Sequence, residues 1–216
     1  MNVQSDWTRL FRIARAMIEQ VNSGQQIIDY WTFGGGTAMM LQINHRESND
    51  VDIFLPDAQL LSFLDPQKRD FDFEIRPSDY NGDGSRFLKL GFEIGEIDFI
   101  VARALTSSPT TQAAVEGKAA LLETIPEIIA KKVYHRGASI APRDIFDIAA
   151  GSETQADSII KELRGYRNEV AKTLAAIEKQ NPDFVNATIS QLLIKDPYLT
   201  IAKTALEKTK EVLKAV

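Results

Sequence analysis

The chain has 216 residues, with 44% hydrophobic and 25% charged side chains, enough to bury a real core as one large domain or two small ones. A formal net charge of −5 gives no overall pull toward nucleic acid or an anionic membrane, so a nucleic-acid partner would need a local basic patch. There is no cysteine, which excludes disulfides and thiolate metal sites and fits a reducing, cytoplasmic setting. The first six residues lack a basic and apolar leader pattern, and no apolar run approaches the ~20 residues needed to span a bilayer, so no membrane partner is expected.

Ser5 or Asp6 can cap a first helix whose apolar positions, Leu10, Phe11, Ala14, Met17, Ile18 and Val21, recur at helical spacing. Residues 27–33 are apolar and β-prone and stop at Gly34-Gly35-Gly36. Residues 37–43 read as a short helix, 51–55 as a strand ended by Pro56, 57–63 as a short helix and 71–76 as a half-exposed strand. Residues 79–84 form a loop by composition, and 86–94 with 96–102 form a hairpin about Gly95. A Ser/Thr/Pro linker covers 106–111, and the chain beyond it reads as helical. Thr124 and Glu127 form a capping box, Gly137 ends that helix, and Pro142 starts the next, carrying 143–150. Amphipathic stretches follow at 156–179, 182–194 and 198–215. The outline is a mixed α/β half followed by a helical half.

Strand alternation puts Asp50 and Asp52 on one face, about 7 Å apart, where two carboxylates can share hard divalent cations. Glu96 and Asp98 repeat the arrangement. If the two strands are neighbours, Asp98 completes a cluster of three acids whose mutual repulsion a cation would relieve. A solvated strand edge is the other reading of each pair. Gly34-Gly35-Gly36-Thr37 lets backbone approach phosphate at a helix N-terminus, although neither a P-loop nor a Gly-x-Gly-x-x-Gly pattern is present. A plain tight turn is the alternative. Thr37 and Ser48 can each bond a phosphate oxygen or cap local backbone. Arg46 can neutralise phosphate, while His45 and His135 fit structural roles. Two histidines without cysteine argue against zinc.

Gly-Gly-Thr-Ala-x-x-Leu from Gly35, with His45-Arg46-x-Ser48-x-Asp50-Val51-Asp52-Ile53-Phe54, resembles the nucleotidyltransferase AbiEii/AbiGii toxin family, a branch of the polymerase-β-type nucleotidyltransferases. Glu127-Ile128-Ile129-Ala130-Lys131-Lys132 and Pro142-Arg143-Asp144-Ile145-Phe146-Asp147 are similar to the family's lysine and Arg-Asp-x-x-Asp segments. The match runs from about Phe33 to Ala150.

The resemblance implies an α+β fold. A polymerase-β-like mixed sheet with helices would occupy residues 1–108, and a helical domain at 109–216 would complete the active-site cleft. It implies Gly35, Gly36 and Thr37 on the triphosphate, with Ser48 and Arg46 beside them. Asp50 and Asp52 would hold Mg²⁺, two ions in all, with Asp98 as third acid helping to activate an acceptor hydroxyl. Lys132 would contact phosphate, with Lys131 as its neighbouring alternative. Arg143 and Asp144 would position their helix or enter the site. The implied activity is transfer of a nucleoside monophosphate from a nucleoside triphosphate to a tRNA or other RNA end, or to a protein hydroxyl. The implied biology is a toxin with a cognate antitoxin. A non-catalytic nucleotide-binding module on the same scaffold is the alternative, and a metal-dependent nuclease a third reading.

Overall fold

Asp6 begins the described chain, which runs from residue 6 to 216 in a computed structural model. Its carboxylate accepts from the Arg9 N–H and so caps helix α1 (Trp7–Val21). Ser5 and the residues before it lie outside the described residues. Leu10, Phe11, Ala14, Met17, Ile18 and Val21 are buried, as their spacing predicts. After α1 the Asn22 side chain accepts from the Ile27 and Ile28 N–H groups and donates to the Ile28 carbonyl. That local pairing takes up the backbone that the sequence reads as strand. Only Thr32–Gly34 forms β1, which passes directly into helix α2 (Gly35–Ile43).

Strand β2 (Val51–Leu55) follows, then a 3₁₀ turn at Ala58–Leu60 and the short helix α3 (Leu61–Leu64) where a single helix was expected. Residues 71–76 are not a strand. Their apolar side chains alternate, but the Gln20 side chain bonds both the N–H and the C=O of Asp72. The expected loop at 79–84 instead begins with β3 (Asp79–Gly82), an exposed edge strand. The hairpin β4 (Phe87–Phe92) and β5 (Gly95–Val101) forms as expected.

The helical reading beyond residue 111 fails first at 110–123. These residues make a second hairpin, β6 (Thr110–Val115) and β7 (Lys118–Glu123). Glu116 and Gly117 at its tip both take positive φ, as a two-residue turn matching strand twist requires. The seven strands form one mixed sheet in the order β3-β4-β5-β2-β1-β7-β6. β2 runs parallel to β5 and β1 parallel to β7, while the other neighbours are antiparallel.

The chain divides into two compact units that interleave in sequence. The first takes the chain up to Ala38, Ser48–Ala104 and Thr110–Glu123, and holds the sheet, α1 and α3. The second takes Met39–Glu47, Leu105–Pro109 and Thr124–Val216. It contains α4 (Ile125–Arg136), α5 (Pro142–Leu163, broken at Gln155), α6 (Arg167–Glu178), α7 (Pro182–Ser190) and α8 (Leu199–Lys214). α5 is the central helix, packed by α4, α7 and α8. Gly151 lets it approach α4, since a Cβ there would stand 2.8 Å from Ile129 Cδ1. The capping box at α4 does not form. Thr124 Oγ1 donates to the Ser108 carbonyl, and buried Glu127 accepts from the N–H groups of Leu105 and Thr106 and from the Thr106 hydroxyl. Among the described residues no helix is long and apolar enough to cross a membrane.

Candidate active site

In the first unit, the pairing of four strands aligns a row of residues. Lys89 on β4 stands opposite Asp98 on β5, Asp98 opposite Asp52 on β2, and Asp52 opposite Gly34 on β1. The alternating residues Leu88, Leu90, Val51, Ile53, Ile97 and Phe99 are buried, which sends the polar row to the other face. Asp50 sits one residue before β2, half-buried.

The glycine turn lies at the end of this row. Gly35 takes φ +69°, and a Cβ there would fall 1.8 Å from Asp52 Oδ2. Only glycine admits both that backbone and that neighbour. Gly35 and Gly36 open α2, half-buried, where first-turn N–H groups lack intrahelical partners. Thr37 lies behind them with no exposed surface. Its hydroxyl donates to the Asp50 carbonyl at 2.5 Å and lies 3.1 Å from the Ser48 hydroxyl. Thr37 and Ser48 thus join the start of α2 to the approach to β2.

Asp98 carries the clearest electrostatic signature. Burial raises its pKa, and the charges of Glu96 and Asp50 add to the rise, while Lys89 works against it. Lys89 Nζ is 3.2 Å from Asp98 Oδ2 and 2.5 Å from Glu96 Oε2. Asp98 Oδ1 is buried and has no hydrogen-bond partner among the described residues. The sequence expects Asp50, Asp52 and Asp98 to converge as a three-acid metal site. Among the described residues no group of three or more histidine, aspartate or glutamate side chains is arranged to hold a metal. Asp52 and Asp98 are neighbours in register, Asp50 lies close enough for its charge to act on Asp98, and Lys89 holds the outer oxygen of Asp98. Two adjacent carboxylates with one buried oxygen unpartnered still suit Mg²⁺, which takes few protein carboxylates and fills its shell with water and phosphate oxygens.

In the second unit the other expected residues meet in a buried charge network. Asp147, with no exposed surface, accepts two bonds from Arg46, at 2.7 Å from Nε and 2.9 Å from Nη2. His45 Nε2 is 2.9 Å from the same carboxylate, and Lys132 Nζ is 2.9 Å away. Lys132 also donates to Asp144 at 2.5 Å. Burial would raise the Asp147 pKa, but Lys132 and Arg46, with the His45 and Arg46 hydrogen bonds, overcome it and hold the carboxyl well below its ordinary value. Arg46 and Lys132 are both nearly buried, so the arginine expected on phosphate is seated on Asp147. Lys131 points to Glu127 at 3.6 Å, while Arg143 is exposed. His135 is pushed down in pKa by partial desolvation and by the charges of Lys131 and Arg136, which favours the neutral ring.

Motif reading takes in Asp147 only as the end of the Arg-Asp-x-x-Asp segment, without a place in the site, and passes over Lys89. Asp147 gathers partners about a hundred positions away, which no local pattern announces. Lys89 was within reach, because the β4–β5 turn fixes its pairing with Asp98.

The fold and motifs agree with the family comparison. Residues 21–210 match the family described as Nucleotidyl transferase AbiEii toxin, Type IV TA system. The chain belongs to this nucleotidyltransferase family. No curated protein matches it. Among solved structures, JHP933 from Helicobacter pylori is similar at 15% identity and a TM-score of 0.50, covering 98% of this chain and 92% of that one. The CD-NTase CdnG of Bradyrhizobium diazoefficiens, solved in complex with GTP, matches at 13% identity and a TM-score of 0.38, over 95% of this chain and 83% of that one. The likeness to JHP933 extends over nearly the whole chain and supports the mixed α+β fold.

Proposed function

We propose that this AbiEii-family chain transfers a nucleoside monophosphate from a nucleoside triphosphate to an acceptor hydroxyl, with Mg²⁺ held by Asp52 and Asp98 and supported by Asp50. The observation that carries this reading is the juxtaposition of Gly35 and Asp52, on which Asp98 abuts in register. The Gly35–Gly36 backbone receives triphosphate oxygens at the start of α2. The acceptor oxygen attacks the α-phosphorus, the α–β bridging P–O bond breaks, and pyrophosphate leaves. Asp98 is assigned to help activate the acceptor hydroxyl, which bound Mg²⁺ would make more acidic. Bound Mg²⁺ would supply neutralisation of phosphate charge. Within the second unit, Asp147 and Asp144 fix the Lys132 ammonium, and Arg46 and His45 brace Asp147.

The acceptor is assigned to an RNA end, with a protein hydroxyl as the competing outcome. The Type IV toxin–antitoxin description of the family supplies the remaining partner, a cognate antitoxin. The cysteine-free composition agrees with action in the cytoplasm. The test incubates the full chain with Mg²⁺, each α-labelled triphosphate in turn and pools of RNA or protein. Label should pass to an acceptor, and Asp52→Asn should lower the rate about a hundredfold or more, equivalent to the several kcal/mol a metal ion lends the transition state. Equal transfer by Asp52→Asn would overturn the assignment.

A further inference from the structure

Lys89 closes the acidic row, and its setting differs from that of an ordinary surface ion pair. It stands directly across the strand ladder from Asp98, its ammonium bridging Asp98 Oδ2 and Glu96 Oε2. Asp98 is mostly buried, and its other oxygen is left without a partner. An exposed lysine pair is interchangeable and contributes little. Here one oxygen of a largely desolvated carboxylate is taken by an ammonium, and the remaining one is kept apart from it.

We propose that Lys89 is a built-in counter-ion of the acidic row, holding Asp98 by Oδ2 and setting how tightly the row binds a divalent cation. The inference rests on the metal role proposed for Asp52 and Asp98. Without a metal, Asp52, Asp98 and Glu96 bring negative charge to one face of two paired strands, and such groups repel unless a cation intervenes. The ammonium of Lys89 supplies that cation on the outer side of Asp98. A divalent ion arriving at Asp52 and Oδ1 therefore meets a positive charge already bound to the same carboxylate, and the two cations oppose each other. Half-exposed Glu96 gives the ammonium a second seat, so Lys89 can lean away from Asp98 without being left unpaired. The device keeps the acids compatible with the folded sheet in the metal-free protein. It also holds metal affinity low enough for the ion to exchange with its triphosphate.

The test is a titration of the full chain with Mn²⁺, reading free ion by electron paramagnetic resonance. The proteins are wild type, Lys89→Met, Lys89→Gln, Lys89→Arg and Asp52→Asn. Lys89→Met and Lys89→Gln should each bind Mn²⁺ about 3- to 10-fold more tightly than wild type, the size expected for removing one nearby, partly solvated charge. Lys89→Arg should stay close to wild type, and Asp52→Asn should lose the site. A purely structural lysine would give the opposite result, because its loss would loosen the site and weaken binding. Circular dichroism checks that the variants fold, and the two neutral variants guard against failure of either. If wild type binds Mn²⁺ and both neutral variants bind it equally or more weakly, the counter-ion role is overturned. If wild type shows no binding that Asp52→Asn removes, the metal assignment fails, and the inference falls with it.

Discussion

Gly35 shows how much one residue can decide. Its positive φ would strain any other residue by about 1–2 kcal/mol, and a Cβ would also run into Asp52 Oδ2. Gly35→Ala should therefore destabilise the protein by about 2 kcal/mol or more and, by displacing Asp52, remove nucleotide transfer. Gly24 is the matched control. A Cβ there has nothing within 4 Å, so Gly24→Ala should stay within about 0.5 kcal/mol of wild type. Thermal denaturation and a transfer assay on the two variants separate these outcomes, and an active Gly35→Ala protein would contradict the place given to Asp52. The sequence reading had this glycine correctly between strand and helix, because glycine at such a junction has a backbone meaning. It leaves Thr37 between a phosphate oxygen and backbone, and in the fold the hydroxyl turns to the Asp50 carbonyl. A hydroxyl has several partners within reach, and only the fold selects one.

Between elements, the Asp147 network ties α4, α5 and the residues after α2 by charge rather than by apolar contact. Removing the charge leaves Arg46 and Lys132 buried with less compensation. Asp147→Asn should cost about 3–5 kcal/mol near neutral pH, as breaking a buried ion pair does. The folded carboxyl titrates below its ordinary 3.8, so its stabilisation is complete above that value and lost as pH falls through the folded pKa. The gap in urea stability between wild type and Asp147→Asn should accordingly stay constant from about pH 8 to 5 and narrow below about pH 4. A gap that widens on acidification would refute the charge-pair account. Element by element, the legible parts of the fold were those with strong local patterns, such as α1, the β4–β5 hairpin and the α5 start at Pro142. Alternation at residues 71–76 misled because a strand also needs a neighbour, and the Gln20 side chain supplied the backbone partners instead. β6 escaped notice for the converse reason. Its Thr, Gln and Ala residues are mostly exposed and read as the end of a linker and the start of a helical half, and its pairing with β7 makes it a strand.

At the scale of the whole molecule, the β6–β7 hairpin tests where the sheet-bearing unit ends. The composition change near residue 108 invites a cut there, but that cut would strip β1 of its parallel neighbour β7. β1 is only three residues long, and Thr32 within it donates to Glu123 at 2.7 Å. The hairpin is also stitched to α1. Arg12 pairs with Glu116 at 3.0 Å, Arg15 donates to the Ala119 carbonyl at 2.8 Å, and Lys118 pairs with Glu19 at 3.3 Å. Each exposed pair is weak alone, but together with the strand pairing they fix α1 and the glycine-bearing strand to the same hairpin. A fragment of residues 1–108 should therefore lack a cooperative thermal transition, because β1 becomes an edge strand with a single partner. Extending it to residue 123 should restore a strand-rich circular dichroism spectrum and a cooperative melt, at a lower temperature than the full chain. The reduction follows from Met39 and Met40, buried in the whole protein and grouped with the helical unit that this fragment omits. Equal, cooperative melting of the 1–108 and 1–123 fragments would show that the hairpin is an appendage and that the sheet closes without it.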